Sequence, residues 1–301
     1  MAETEDLRQR LRRKPIVIAP GVYDPLTAMI AEKAGFTSLY VTGGGIAYTR
    51  LGRPDIGLVS VSEVVDTIAL IRDRVEADLI VDADTGYGNA LNVQRTVRAF
   101  ERAGATAIQL EDQSFPKRCG HLEDKAIVST NEMVGKVHAA VDARQSEQTL
   151  IVARTDAVAV EGLTAALDRA VRYRDAGADM LFIEAPTAKE QLAQITAAMG
   201  ASVPLMVNLV EGGKTPSLPA AELEQLGFSL AIFPGGIVRA LARTAVDYYA
   251  SLAMHRSTEP FRSRMYNFAE LNELLGTPDL LERGERYAPE SDAASSKKGG
   301  A

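Results

Sequence analysis

Short apolar runs rich in Val, Ile and Leu alternate with longer stretches of helical periodicity along most of the chain, which predicts repeated strand–helix units. The predicted strands are residues 16–19, 38–42, 79–82, 107–110, 150–153, 180–183, 205–208 and 230–233. Helical patterns fill the gaps at 24–34, 62–75, 92–103, 130–143, 163–176, 189–199 and 220–226. Gly35, Gly104, Gly177 and Gly227 stand just before the next strand, where a left-handed helix end costs glycine least. Strands this continuously apolar are buried on both faces, so eight of them predict an α/β chain folded as a closed (β/α)8 barrel rather than an open doubly wound sheet. Two further helices, at 238–255 and 268–275, extend the prediction to a single domain over residues 1–288 with a C-terminal helical region. The Ser-, Lys- and Gly-rich segment 289–301 is predicted to be a disordered tail.

Composition narrows the function. The 301 residues suit one barrel, and 46 % hydrophobic with 24 % charged residues suits a large core. A net charge of −7 argues against a nucleic-acid partner, which calls for an excess of Lys and Arg. Cys119 is the only cysteine, so no intramolecular disulfide can form. The charged segment 1–14 lacks the apolar stretch of a signal peptide, and no apolar run is long enough to cross a membrane. These features predict a cytoplasmic enzyme acting on a small molecule, with no membrane partner.

Barrel enzymes carry their chemistry at the C-terminal strand ends. Here those ends read Thr42-Gly43-Gly44-Gly45, Asp82-Ala-Asp84, Glu111-Asp112, Arg154-Thr-Asp156, Glu184, Asn208 and Arg239. Acids concentrated on adjacent strands repel one another without a cation, and hard oxygen donors suit Mg²⁺, with Mn²⁺ as an alternative. The glycine run allows close backbone approach to a substrate carboxylate. Arg154 and Arg239 can hold carboxylates by paired hydrogen bonds, or can pair with the barrel's own acids. The loop Lys117-Arg-Cys-Gly-His121 sets the thiol between Arg118 and a titratable His121, which favours the thiolate and a proton-transfer role for Cys119. Tyr40, near the end of the second strand, is placed to remove or orient a substrate proton.

These segments, with Leu51-Gly-Arg-Pro-Asp55, Ala153-Arg-Thr-Asp-Ala157 and the stretch from Asn208 to Pro216, resemble the isocitrate lyase and phosphoenolpyruvate mutase superfamily over residues 20–275. The resemblance implies a barrel whose last helix is exchanged between subunits of a homodimer or homotetramer. It implies Mg²⁺ held by Asp84, with Asp55, Asp82 and Glu111 acting directly or through water. It makes the Lys117–His121 loop, including Gly120, a mobile lid bearing the acid Cys119, with Arg154, Glu184 and Asn208 on the substrate carboxylates. Members with this loop mostly break a C–C bond in a 2-hydroxy di- or tricarboxylate, of the 2-methylisocitrate or 2,3-dimethylmalate type, by retro-aldol cleavage. The alternatives are formation of a P–C bond by a phosphonomutase, oxaloacetate hydrolysis, and a non-catalytic acid-binding barrel. Phe268, where tricarboxylate-cleaving members carry Arg, favours a dicarboxylate, whereas Arg239 matches the tricarboxylate type. Pro234, where oxaloacetate hydrolases tend to have Ser, disfavours hydrolysis.

Overall fold

The computed structural model describes residues 5–120, 122 and 124–287; the predicted tail and His121 lie outside them. All eight predicted strands form: β1 (Val17–Val22), β2 (Ser38–Val41), β3 (Asp78–Asp82), β4 (Ala107–Glu111), β5 (Leu150–Thr155), β6 (Met180–Ile183), β7 (Leu205–Asn208) and β8 (Leu230–Phe233). They pair in chain order, all parallel, and β8 closes onto β1 with Val17 opposite Leu230. β1 runs three residues past its predicted end, because Pro20, Gly21 and Val22, which end an apolar pattern, here still pair with β8 and β2. The four glycines predicted as helix ends all have φ between 97° and 108°.

The barrel interior is filled by alternate residues of each strand, as a period-2 element requires. Val17 and Ala19, Tyr40, Ile80, Ala107, Leu150 and Val152, Met180 and Phe182, Met206, Leu230 and Ile232 form one buried cluster. Leu7 and Leu11 join it at 1 % and 3 % exposure. They come from a short helix, Leu7–Arg10, and its C-terminal cap Leu11; at the other end Asp6 accepts a hydrogen bond from the Gln9 amide. Two apolar residues in a charged stretch carry too little periodicity to predict this helix.

The chain divides into two compact units, residues 1–240 and 241–301, and the boundary falls within the helix Gly236–His255. The first unit holds the barrel. The second holds the rest of that helix, the turn Glu259–Arg264 and the helices Phe268–Leu275 and Thr277–Glu285, the last of which the sequence pattern did not predict. Inside this unit Tyr248 packs edge-on against Phe261 at 5.4 Å and Arg264 lies 4.3 Å over the same ring. Among the described residues no helix is long and apolar enough to cross a membrane.

Candidate active site

The inward stripe of the strands turns polar at their C-terminal ends without changing its phase. Tyr40 leads to Thr42, Ile80 to Asp82 and Asp84, Ala107 to Gln109 and Glu111, Val152 to Arg154 and Asp156, Phe182 to Glu184, and Met206 to Asn208. One cavity is lined by Tyr40, Thr42, Gly44, Gly45, Asp55, Asp82, Lys117, Cys119, Gly120, Arg154, Glu184, Asn208 and Arg239. Of the strand-end residues named from sequence, Thr42, Gly44, Gly45, Asp82, Arg154, Glu184, Asn208 and Arg239 are therefore brought together around one cavity.

Thr42 caps the helical turn Gly43–Ile46, its hydroxyl accepting from the Gly45 amide at 3.2 Å, so the glycine run is the start of a helix rather than an open loop. That turn lies against the acids. A Cβ on Gly43 would stand 3.2 Å from Asp82 Oδ2 and 3.5 Å from Asp84 Oδ1, and one on Gly44 3.5 Å from Asp55 Oδ2. Lys117 Nζ lies 2.6 Å from both Asp55 Oδ1 and Asp84 Oδ1, with its side chain 4 % exposed. Burial, reinforced by Asp82 and Asp55, pushes the Asp84 carboxyl up to about 7 against the pull of Lys117. Burial alone would depress the Lys117 ammonium, but Asp84 and Asp55 raise it well above the ordinary lysine value. Asp84 also adopts a left-handed backbone, φ 47°, which a short polar side chain tolerates.

Among the described residues no group of three or more His, Cys, Asp or Glu side chains is arranged to hold a metal ion. The donor chemistry nevertheless fits one. Glu111 Oε1 is buried with no hydrogen-bond partner, and the surrounding acids present only hard oxygen atoms, with a single ammonium set between Asp55 and Asp84. Burial raises the Glu111 carboxyl well above its usual range, with Arg154 opposing.

A second chain of contacts ties the strands together. The Tyr40 hydroxyl donates to Gln109 Oε1 at 2.9 Å, and Gln109 Nε2 donates to Asp82 Oδ1 at 3.2 Å. Burial and then Asp82 raise the Tyr40 phenol well above its ordinary value, so it is suited to orienting and donating rather than removing a proton. Arg154 donates from Nε and Nη2 to Asp156, at 2.9 and 3.1 Å, and its Nη1 lies 3.2 Å from Glu111 Oε2. It thus pairs with the barrel's own acids while facing the cavity. Asn208 donates to both Glu184 oxygens at 3.3 Å, and Arg239 pairs with Glu211 at 2.7 Å.

The structure separates Asp112 from the other acids. It is one residue beyond Glu111 and therefore points to the opposite side of the strand, where it accepts from Thr155 Oγ1 at 2.7 Å, the Asp156 amide at 2.9 Å and the Tyr173 hydroxyl at 2.8 Å. Cys119 is half-buried, its amide donating to the Asp55 carbonyl at 3.2 Å. The neighbouring loop segment is held by Gln113, whose side chain accepts from the Arg118 amide at 2.9 Å and donates to the Arg118 carbonyl at 2.8 Å. Gln109, Tyr48 and Lys125 were not anticipated as site residues. Gln109 shares the phase of the inward stripe, so the alternation could have found it, whereas Tyr48 and Lys125 lie outside any strand and carry no such signal.

The pattern of the phosphoenolpyruvate phosphomutase family matches residues 7–253. The chain is 42 % identical over 282 residues to 2,3-dimethylmalate lyase of Eubacterium barkeri, covering 94 % of this chain and 97 % of that one. It is 44 % identical over 273 residues to 2-methylisocitrate lyase of Salmonella typhimurium, covering 90 % and 92 %. A crystal structure of 2,3-dimethylmalate lyase superposes with a TM-score of 0.89 at 33 % identity, covering 96 % of each chain. A phosphonopyruvate hydrolase solved with oxalate and Mg²⁺ superposes at 0.85 with 28 % identity, covering 93 % of this chain and 97 % of that one. The strand-end acids and the thiol loop are thus those of a chain that belongs to the phosphoenolpyruvate mutase and isocitrate lyase superfamily.

Proposed function

We propose that this family member, a carbon–carbon lyase, cleaves a 2-hydroxy carboxylate of the 2,3-dimethylmalate or 2-methylisocitrate type by retro-aldol cleavage, releasing a 2-oxo acid and a second carboxylate. The observation that carries the reading is that Arg154, Asp82 and Cys119 face one cavity: a cationic clamp, an acid cluster and the sole thiol. Asp55, Asp82, Asp84 and Glu111 would hold Mg²⁺ or Mn²⁺. When bound, the ion supplies Lewis acidity that lowers the pKa of the substrate hydroxyl and stabilises the 2-oxo product.

The chain's own residues supply the rest. Arg154, Glu184 and Asn208 bind and orient the carboxylates, and the Gly43–Gly45 turn gives them room. Tyr40, tied through Gln109 to Asp82, orients the hydroxyl proton. The Cys119 thiol delivers a proton to the enolate that departs, and the proton given up by the hydroxyl restores the thiol before the next turnover. Acid–base transfer contributes about 10²- to 10⁴-fold, at most roughly 5.5 kcal/mol, whereas enzymes lower barriers by about 8–23 kcal/mol. Thiol chemistry is therefore the smaller share, and binding and charge stabilisation at the acid cluster and Arg154 are the larger. The test is incubation with Mg²⁺ and substituted malates, citramalate, isocitrate, 2-methylisocitrate and oxaloacetate. The expected result is release of a 2-oxo acid from a methylated malate or 2-methylisocitrate, abolished by chelation. No release from any of them would overturn the reading.

We further propose a homodimer or homotetramer in which the C-terminal helices are exchanged. Tyr249, Met254, Phe268 and Leu281 of the second unit are 65–87 % exposed, an apolar surface that supports burial by a second copy. A monomer in sedimentation equilibrium would refute it.

A further inference from the structure

Asp156, wholly buried just past β5, holds charged groups on two sides. On one side Arg154 gives it two parallel hydrogen bonds, from Nε and Nη2. On the other, Lys125 Nζ meets Asp156 Oδ1 at 2.9 Å, and the same ammonium donates to the Gly120 carbonyl. The Lys125 and Asp156 side chains are 1 % and 0 % exposed. Asp156 is itself fixed from the wall of the barrel, its amide donating to Asp112 Oδ1 at 2.9 Å.

Gly120 follows Cys119 directly and is seated on the clamp: a Cβ there would stand 2.4 Å from both Arg154 Nη2 and Glu184 Oε1. Neutralising Asp156 does not require Lys125, because Arg154 already forms the bidentate pair that satisfies a carboxylate. What Lys125 adds is a tie from that carboxylate to the backbone beside the thiol.

We propose that Lys125 and Asp156 are positioning residues that hold the Cys119 segment and the Arg154 clamp in one geometry, an inference that rests on the lyase reading with Cys119 as the acid. Arg154 would bind the substrate carboxylate, Cys119 would deliver the proton, and Asp156 with Lys125 sets the distance between the two. Displacement of a reacting group by about 1 Å can cost roughly 10²-fold in rate, so a tie of this kind acts on turnover more than on binding.

The test is Lys125→Met, in which Asp156 keeps its pairing with Arg154. Two quantities are read: the split between kcat and KM, and the rate at which iodoacetamide alkylates Cys119, the sole cysteine. The expected result is a kcat lower by roughly 10²-fold with KM little changed, and faster alkylation in the absence of substrate. Lys125→Arg, which retains the charge, restores the larger part of both, whereas Asp156→Asn, which also releases Arg154, raises KM as well. A folded Lys125→Met protein with wild-type alkylation would overturn the proposal whatever its kcat, since a merely structural lysine changes melting temperature without changing access to the thiol. Should Lys125→Met not fold, Lys125→Gln is read by the same two measurements. Alkylation needs no substrate, so the two readings fail separately. Absence of 2-oxo acid release by the wild type defeats the lyase substrate reading, and unchanged alkylation in the lysine variant defeats this one.

Discussion

The floor and the mouth of the barrel are built from opposite ends of the same strands and treat polar groups in opposite ways. At the floor charged side chains are joined in ion pairs: Arg8 and Arg144 pair with the two oxygens of Asp179 at 2.8 and 2.6 Å, the Ile151 amide donates to one of them, and Arg10 pairs with Asp78. Leu7 and Leu11 then seal the centre. At the mouth, Asp82, Asp84 and Glu111 are buried together, Glu111 Oε1 has no partner, and Asp84, Tyr87 and Ala185 hold left-handed backbone conformations at the ends of β3 and β6. Such conformations cost of order 1–3 kcal/mol each and persist only where the surroundings impose them. The closed end pairs its acids with arginines, and the open end crowds buried acids together and leaves a carboxylate oxygen of Glu111 for something that binds.

The comparison breaks most sharply at the thiol. Cys119→Ser is expected to lower turnover by about 10²- to 10⁴-fold with an unchanged melting temperature, since proton transfer is lost while packing stays intact. A serine variant with full turnover removes the thiol from the chemistry. The reverse is expected at the floor. Leu7→Ala leaves a cavity in the inner cluster and is expected to cost about 2–5 kcal/mol in urea denaturation, with kcat per folded molecule unchanged. A loss of kcat at intact stability would show that the two ends are not independent.

The smallest effect sharpens the contrast by pH. Burial alone would raise the Asp156 carboxyl, but Arg154 and Lys125 outweigh it and hold it below the usual carboxylate range. A depressed carboxyl contributes stability above its unfolded value of about 3.9, and that contribution is lost as pH falls through the lower folded value. Denaturation midpoints followed from pH 7 down to pH 3 are therefore expected to fall more steeply in the wild type than in Asp156→Asn. Equal acid limbs would show that Asp156 titrates alike folded and unfolded.

Much of this was legible in the chain because a barrel repeats one simple pattern eight times. The helices Thr130–Ala143 and Lys189–Met199 and the strands β6, β7 and β8 lie where the periodicity put them. Strand ends were harder: β5 continues through Arg154 and Thr155, because polar residues that end an apolar run can still pair with β4 and β6. At the site, reading acids by proximity in sequence grouped Asp112 with Glu111, whereas alternation sends them to opposite faces. Lys125 was beyond reach, since a lysine in a loop gives no sign that its ammonium is buried against a carboxylate from another strand.

Gln109 carries a consequence of its own. A carboxamide has one end that only accepts and one that only donates, and here the accepting end meets the Tyr40 hydroxyl while the donating end meets Asp82. That asymmetry requires Tyr40 to arrive with its phenol proton in place and Asp82 to present an accepting oxygen. One uncharged side chain in the barrel wall thus fixes which neighbour gives a proton and which receives one, and a glutamate in its place would set a second carboxyl against Asp82 with no N–H to offer it.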